Sequence, residues 1–232
     1  GEIHASMCPA TEQWRAKMRE TSEKLIWEHG MCGVYLDCLA ATQALPCYDP
    51  AHGHPIRGGD YAAKGNRRLM LDLRKHIRRF DREACFFTEE IGEQYLDVMD
   101  GYLTLDITRS YCRPGEQVFP VFTAAYHPYT INFGSDAEVG LDPGFFAWQF
   151  GEAFVWGEQP LISAAVAKTP TEGDPNSEFL REVTQAYHCV GQRFLQGGEW
   201  RRIAVRPVGA KPGKCGLELA AKAHTLEYSK LK

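Results

Sequence analysis

Two carboxylates close two short apolar runs. Asp37 ends Gly33-Val34-Tyr35-Leu36-Asp37, and Glu89 ends Cys85-Phe86-Phe87-Thr88-Glu89. Each run has the length and the β-branched or aromatic content of a short buried strand, so each acid stands where a strand gives way to a loop. In a closed β/α barrel the C-terminal strand ends form the rim of the active site. Two acids facing each other across such a rim could cleave a glycosidic bond. One would act at the anomeric carbon while the other moves a proton on and off the leaving oxygen.

The residues around them extend this reading. Glu90 follows Glu89, and alternation along a strand sends the two side chains to opposite faces, so one of them faces a common site. Glu90 and Glu93 also suit the first turn of a helix, where negative charge is favourable. His52 and His54 alternate in a glycine-containing loop, where imidazoles could donate to sugar hydroxyls or to Asp37. A metal reading of these histidines would need further ligands, for which Asp49 and Asp60 are available. Tyr126 and His127 follow an expected strand end and, with Tyr35, offer rings on which sugar C–H faces could stack. Arg109 and Arg113 could bind an anion or set the ionisation of an acid.

The elements that must position these groups follow from periodicity and punctuation. A helix is expected from Thr11 to His29, with Trp14, Met18, Leu25 and Ile26 on one face and Gly30 as its stop. Met31–Leu39 reads as a parallel strand buried on both faces. Residues 42–62 form a loop long enough to suggest a functional role. A helix over 63–80 with Leu69, Leu73 and Ile77 inward leads to a strand over 85–88. A short helix over 91–97 and a short strand over 102–105 follow. Val118–Ala124 reads as another strand, and residues 145–167 as a helix with a buried end piece. A helix over 178–195 is capped by Asn176 or Ser177. The strand–helix alternation makes this an α/β chain built of βαβ units. Four or five parallel strands are too few for a closed (β/α)₈ TIM barrel. The expected architecture is an incomplete, C-terminal part of one over residues 1–199, with 200–232 a linker or the start of a β-rich domain.

Bulk composition narrows the classes. The chain has 232 residues, 44% of them hydrophobic and 24% charged, with a formal net charge of −4. No basic stripe suggests a nucleic acid partner, and no apolar run is long enough to span a membrane. The cluster from Arg74 to Arg82 carries Leu73 and Ile77 at helical spacing and reads as a solvated helix face. Eight cysteines are too few for a disulfide scaffold at this length. Cys32, Cys38 and Cys47 lack the tight pairing of a structural zinc site, and Cys8, Cys38 and Cys85 read as small hydrophobes in or beside strands. The expected chemistry requires neither metal nor cofactor. The sequence leaves localisation open.

Several motifs, in order, carry a resemblance. Met7-Cys8-Pro9 with Trp14 comes first, then Gly33-Val34-Tyr35-Leu36-Asp37. His52-Gly53-His54-Pro55 with Gly58-Gly59 follows, then Thr88-Glu89 with Glu93, and Asp100-Gly101-Tyr102-Leu103. Over about residues 5–165 the chain resembles bacterial glycoside hydrolases of the DUF6259 type. More distantly it is similar to the barrels of endo-α-N-acetylgalactosaminidases and α-galactosidases. The resemblance implies a retaining hydrolase acting on an α-galactoside or N-acetylgalactosaminide. Asp37 would be the nucleophile at the end of the fourth barrel strand, and Glu89 the acid/base at the end of the fifth. Tyr35, His52, His54, Asp60, Glu90, Tyr126 and His127 would contact the glycan. It also implies that the rest of the same enzyme, or a second chain, completes the barrel, with β-sandwich domains nearby. The rival expectation is a carbohydrate-binding or remnant barrel piece without turnover.

Overall fold

The computed structural model describes residues 6–41, 45–104, 120–137, 142–162, 173–196, 199–201 and 227–229. The run Ile3–Met7, which by its sequence reads as the end of a strand, falls largely outside the described residues. Arg109 and Arg113 lie wholly outside them, as does most of the segment after Arg201. The chain divides into two compact units, Gly1–Leu103 and Thr104–Lys232.

In the first unit, helix α1 (Glu12–Trp27) starts at Thr11, whose side chain accepts from the Trp14 N–H. Trp14, Met18, Leu25 and Ile26 are only half-buried, whereas Arg15 and Ser22 are the buried residues of the helix. The apolar stripe borders a cleft rather than a sealed core. Strand β1 (Gly33–Leu36) follows, then α2 (Tyr61–Ile77), β2 (Cys85–Glu89) and β3 (Gly101–Leu103). All three strands are parallel, in the order β1-β2-β3, with Leu36 opposite Thr88 and Thr88 opposite Tyr102.

Alternation sorts the side chains of β1 and β2. Val34, Leu36, Phe86 and Thr88 are buried, as are Leu69, Met70, Leu73 and Ile77 of α2. Tyr35 and its cross-strand neighbour Phe87 stand on the other face, Tyr35 41% exposed and Phe87 half-buried. The expectation of a strand over 31–39 buried on both faces is therefore corrected. The chain turns off directly after Leu36, with Cys38 in the left-handed region at φ 56°. Asp100 braces β2: its Oδ2 accepts from the Phe86 N–H at 2.8 Å, and its two oxygens take Arg74 Nη1 and Nη2 at 2.8 and 3.2 Å. The expected helix over 91–97 contracts to a 3₁₀ turn at Glu93–Tyr95.

The second unit contains α3 (Val121–Tyr126), β4 (Ile131–Ala137), α4 (Pro143–Trp156), β5 (Glu158–Ile162), α5 (Pro175–Ala186) and α6 (Gln192–Leu195). Strands β4 and β5 pair in parallel across the α4 crossover. The described part of the expected strand over Val118–Ala124 is helical. Pro120 stands at the helix start, and Ala124-Ala125 favour a helix over the β-branched and aromatic neighbours that suggested a strand. Strand β4 escaped notice because Asn132, Gly134 and Asp136 interrupt its apolar pattern. Asp142 Oδ1 accepts the N–H groups of Gly144 and Phe145 at 3.0 and 3.2 Å to start α4, and Gly157 ends it at φ 78°, a conformation open to glycine. Phe146 and Phe150 pack with Phe179, Leu180 and Val183 of α5. That helix is capped by Asp174, not by Asn176 or Ser177, its Oδ2 taking the Ser177 N–H at 2.8 Å. A π-helical turn at Tyr187–Gly191 joins α5 to α6, so the expected last helix is present but interrupted. Glu199–Arg201 (β6) pairs antiparallel with Glu227–Ser229 (β7). No helix among the described residues is long and apolar enough to cross a membrane. The architecture is α/β, with parallel strands alternating with helices as in part of a (β/α) barrel.

One hydroxyl joins the two strand ends. Thr88 is fully buried, donates to the Leu36 carbonyl at 2.8 Å and accepts from the Ala40 N–H at 3.3 Å. Replacing it by the near-isosteric Val removes both bonds while keeping the shape. Thr88→Val should cost about 1–3 kcal/mol of unfolding free energy in urea titrations followed by tryptophan fluorescence. A change within about 0.5 kcal/mol, the range of neutral surface substitutions, would contradict that role.

Candidate active site at the strand ends

Asp37 follows β1 directly and Glu89 is the last residue of β2, so the parallel register that pairs Leu36 with Thr88 sets the two acids side by side. One carboxylate oxygen of Asp37, one of Glu89 and the Cys38 sulfur all lie within 4.8 Å of one another. The residue after each acid has a left-handed backbone, Cys38 at φ 56° and Glu90 at φ 62°. Non-glycine residues adopt this region at a cost, and such strain collects where function dictates side-chain placement. The Glu90 N–H donates to the Leu103 carbonyl at 2.8 Å, which fixes the turn after Glu89 to β3.

Cys38 corrects the sequence reading. It is exposed rather than a small buried hydrophobe, and its thiol donates to Glu89 Oε2 at 2.9 Å. That bond, burial, and the negative charges of Glu89, Asp37 and Glu90 push the thiol up to about 11. The Tyr35 hydroxyl is raised by burial and by the charges of Glu89 and Asp37. At neutral pH both groups therefore remain protonated donors beside the two acids. The one signal in the sequence that sets Cys38 apart from the other cysteines is its place directly after the strand-end acid Asp37.

A cleft of about 880 Å³ in the first unit adjoins Asp37. Trp14, Tyr35, Tyr48 and His52 are among its walls. Asp60 belongs neither to the cluster of strand-end acids nor to that of the histidines and pairs with Lys64 Nζ at 2.6 Å, which lowers the Asp60 carboxyl below its ordinary range. His52 and His54 gather with two thiols, their ring centroids 6.0 Å apart. Tyr126 ends α3 with its ring 5.1 Å from Phe122, and His127 is buried in the 3₁₀ turn that follows, both within the second unit. Glu93 opens the 3₁₀ turn after β2, an ordinary place for an acid.

The raised Cys38 thiol has a measurable consequence. At pH 8 only about one Cys38 in a thousand would be thiolate, so iodoacetamide should label it more slowly than the exposed Cys189. Glu89→Gln removes the main cause and should speed Cys38 labelling in peptide mass spectrometry. Equal rates at Cys38 with and without Glu89 would refute the contact.

A family model described as Domain of unknown function (DUF6259) matches residues 1–136. A Bacteroides thetaiotaomicron protein named "Putative glycoside hydrolase" is 26% identical over 203 residues, which cover 84% of this chain and 29% of that protein. A Monosiga brevicollis protein named "Putative glycoside hydrolase 22789" is 30% identical over 154 residues, covering 65% of this chain and 13% of its own length. The chain thus spans less than a third of either curated relative. The matched family segment contains β1, β2, β3 and both strand-end acids, and on that match the chain belongs to the DUF6259 family.

Proposed function

We propose that the chain carries the catalytic acids of a retaining glycoside hydrolase, with Asp37 as nucleophile and Glu89 as acid/base. The observation that carries this reading is the approach of their oxygens to within 4.8 Å at the ends of neighbouring parallel strands. Retaining enzymes hold their carboxyl groups about 5–5.5 Å apart, whereas inverting enzymes leave about 6.5–9.5 Å for a water molecule. The similarity to two proteins named as glycoside hydrolases supports the same reaction class.

Asp37 attacks the anomeric carbon while Glu89 delivers a proton to the departing oxygen. The glycosyl–Asp37 ester is then opened by water that Glu89 deprotonates. Cys38 holds the Glu89 side chain toward Asp37 as a neutral donor that adds no negative charge of its own. Tyr35 offers its hydroxyl to the forming or breaking bond or to a sugar hydroxyl. The substrate class carried by the family resemblance is an α-galactoside or N-acetylgalactosaminide.

The two faces of β1 and β2 support a barrel context. The buried face carries Val34, Leu36, Phe86 and Thr88, while the face of Tyr35 and Phe87 is the one that would line a barrel interior. The remaining strands would come from the rest of a longer polypeptide or from another chain.

In the full-length protein, Asp37→Ala should reduce hydrolysis of aryl galactosides and N-acetylgalactosaminides to near background. Glu89→Gln should lower kcat by about 10²–10⁴ on substrates with poor leaving groups, and by less when the leaving group needs no proton. Full turnover by Asp37→Ala in an otherwise active enzyme would end the proposal.

A further inference from the structure

We propose that Cys8, Cys47, His52 and His54 form a tetrahedral zinc site that fastens the loop over residues 45–60 to the segment preceding α1. One ligand atom from each of the four lies within 4.8 Å of the others. Cys8 Sγ stands 3.3 Å from His54 Nε2, and Cys47 Sγ stands 3.2 Å from His52 Nδ1. Zinc–sulfur and zinc–nitrogen bonds of about 2.3 and 2.0–2.1 Å require sulfur–nitrogen edges of about 3.6 Å in a regular tetrahedron. The observed pairs need move apart by only a few tenths of an ångström.

The outer partners of the two imidazoles make the case specific. His54 Nδ1 lies 2.9 Å from the Pro55 carbonyl, which can only accept, so that nitrogen carries the hydrogen and leaves the Nε2 lone pair toward Cys8. His52 Nε2 lies 3.3 Å from Asp49 Oδ2, so its hydrogen faces the carboxylate and the Nδ1 lone pair faces Cys47. Ligating histidines characteristically give their second nitrogen to a carbonyl or carboxylate in this manner. Both rings therefore aim a lone pair at the point shared with the two sulfurs. The His54 ring is further held by stacking on Tyr61, 4.1 Å between centroids and 10° from parallel.

Two sulfurs and two imidazoles select zinc among the common divalent ions, and four protein ligands leave no position for a substrate, so the role is structural. The fold prepares the crossing. Gly65 of α2 lets Pro9 lie so close that a Cβ there would stand 2.7 Å from the Pro9 carbonyl carbon. The Tyr61 hydroxyl donates to the Leu45 carbonyl, and the Arg57 N–H donates to the Cys47 carbonyl at 2.8 Å. A loop with one 3₁₀ turn at Pro50–His52 and no buried apolar side chain has little else to hold it, which is where a metal contributes most. His52 and Cys47 also line the cleft beside Asp37, so the ion would set the shape of that wall. This assigns His52 and His54 a role different from the sugar contacts expected of them, and it stands whether or not the strand-end acids are catalytic.

The test is elemental analysis of the full chain purified without chelator and dialysed against trace zinc. About one zinc per chain is expected. After exchange, cobalt should show the visible bands and sulfur-to-metal charge transfer of a tetrahedral thiolate site. Cys8→Ser and Cys47→Ser should each lower the charge-transfer intensity by about half, in proportion to the sulfur removed, while Cys189→Ser leaves it unchanged. Asp49→Ala, which touches no ligand atom, should weaken zinc binding by about 10–100-fold in competition with a chromogenic chelator. Less than about a tenth of an ion per chain in the wild type, a Cys8–Cys47 disulfide in the native protein, or unchanged spectra in the Cys8→Ser and Cys47→Ser variants would overturn the proposal.

Discussion

The Leu36–Thr88 register is the constraint from which the candidate site follows. Parallel pairing places successive residues of β1 and β2 opposite each other as far as Leu36 and Thr88, so the residues that follow this last pair are Asp37 and Glu89. The Thr88 hydroxyl reaches across to the carbonyl just before Asp37, while the Thr88 backbone leads directly into Glu89. A slip of one residue would turn Glu89 to the face of Phe86 and bury it against α2. The same hydroxyl accepts from the Ala40 N–H, so the turn that carries Asp37 and Cys38 is closed by the group that sets the register.

Electrostatics and backbone geometry then act together on a few residues. Asp37, Glu89 and Glu90 gather negative charge, and the Cys38 thiol answers it with a neutral donor to Glu89. The left-handed conformations of Cys38 and Glu90 turn the chain sharply away, leaving each acid at the tip of its strand. Asp100, held by Arg74 and itself accepting from the Phe86 N–H, anchors the opposite end of β2. The site is thus braced from both ends of the strand.

Much of this was legible in the sequence because burial leaves a local trace. The apolar runs before Asp37 and Glu89, the inward face of α2 and the alternation of strands with helices all follow from periodicity over a few residues. What escaped depends on contacts that no local pattern encodes. Cys8 and Cys47 are separated by the whole of α1 and β1, so no ligand spacing announces their meeting with His52 and His54. Cys38 looked like a strand-flanking hydrophobe because its exposure is decided by a turn at positive φ. The polar residues of β4 masked a strand whose pairing with β5 comes from tertiary context, and the apolar residues that open α3 mimicked one.

In the proposed reaction the Asp37 carboxylate bonds covalently to the sugar while Glu89 serves the leaving group. Incubating the full-length enzyme with a 2-deoxy-2-fluoro galactosyl fluoride, or the corresponding mechanism-based galactosaminide, and mapping the labelled peptide by mass spectrometry tests this directly. One glycosyl adduct is expected, on Asp37, that turns over slowly. A catalytically active enzyme whose adduct maps to another carboxylate would contradict it.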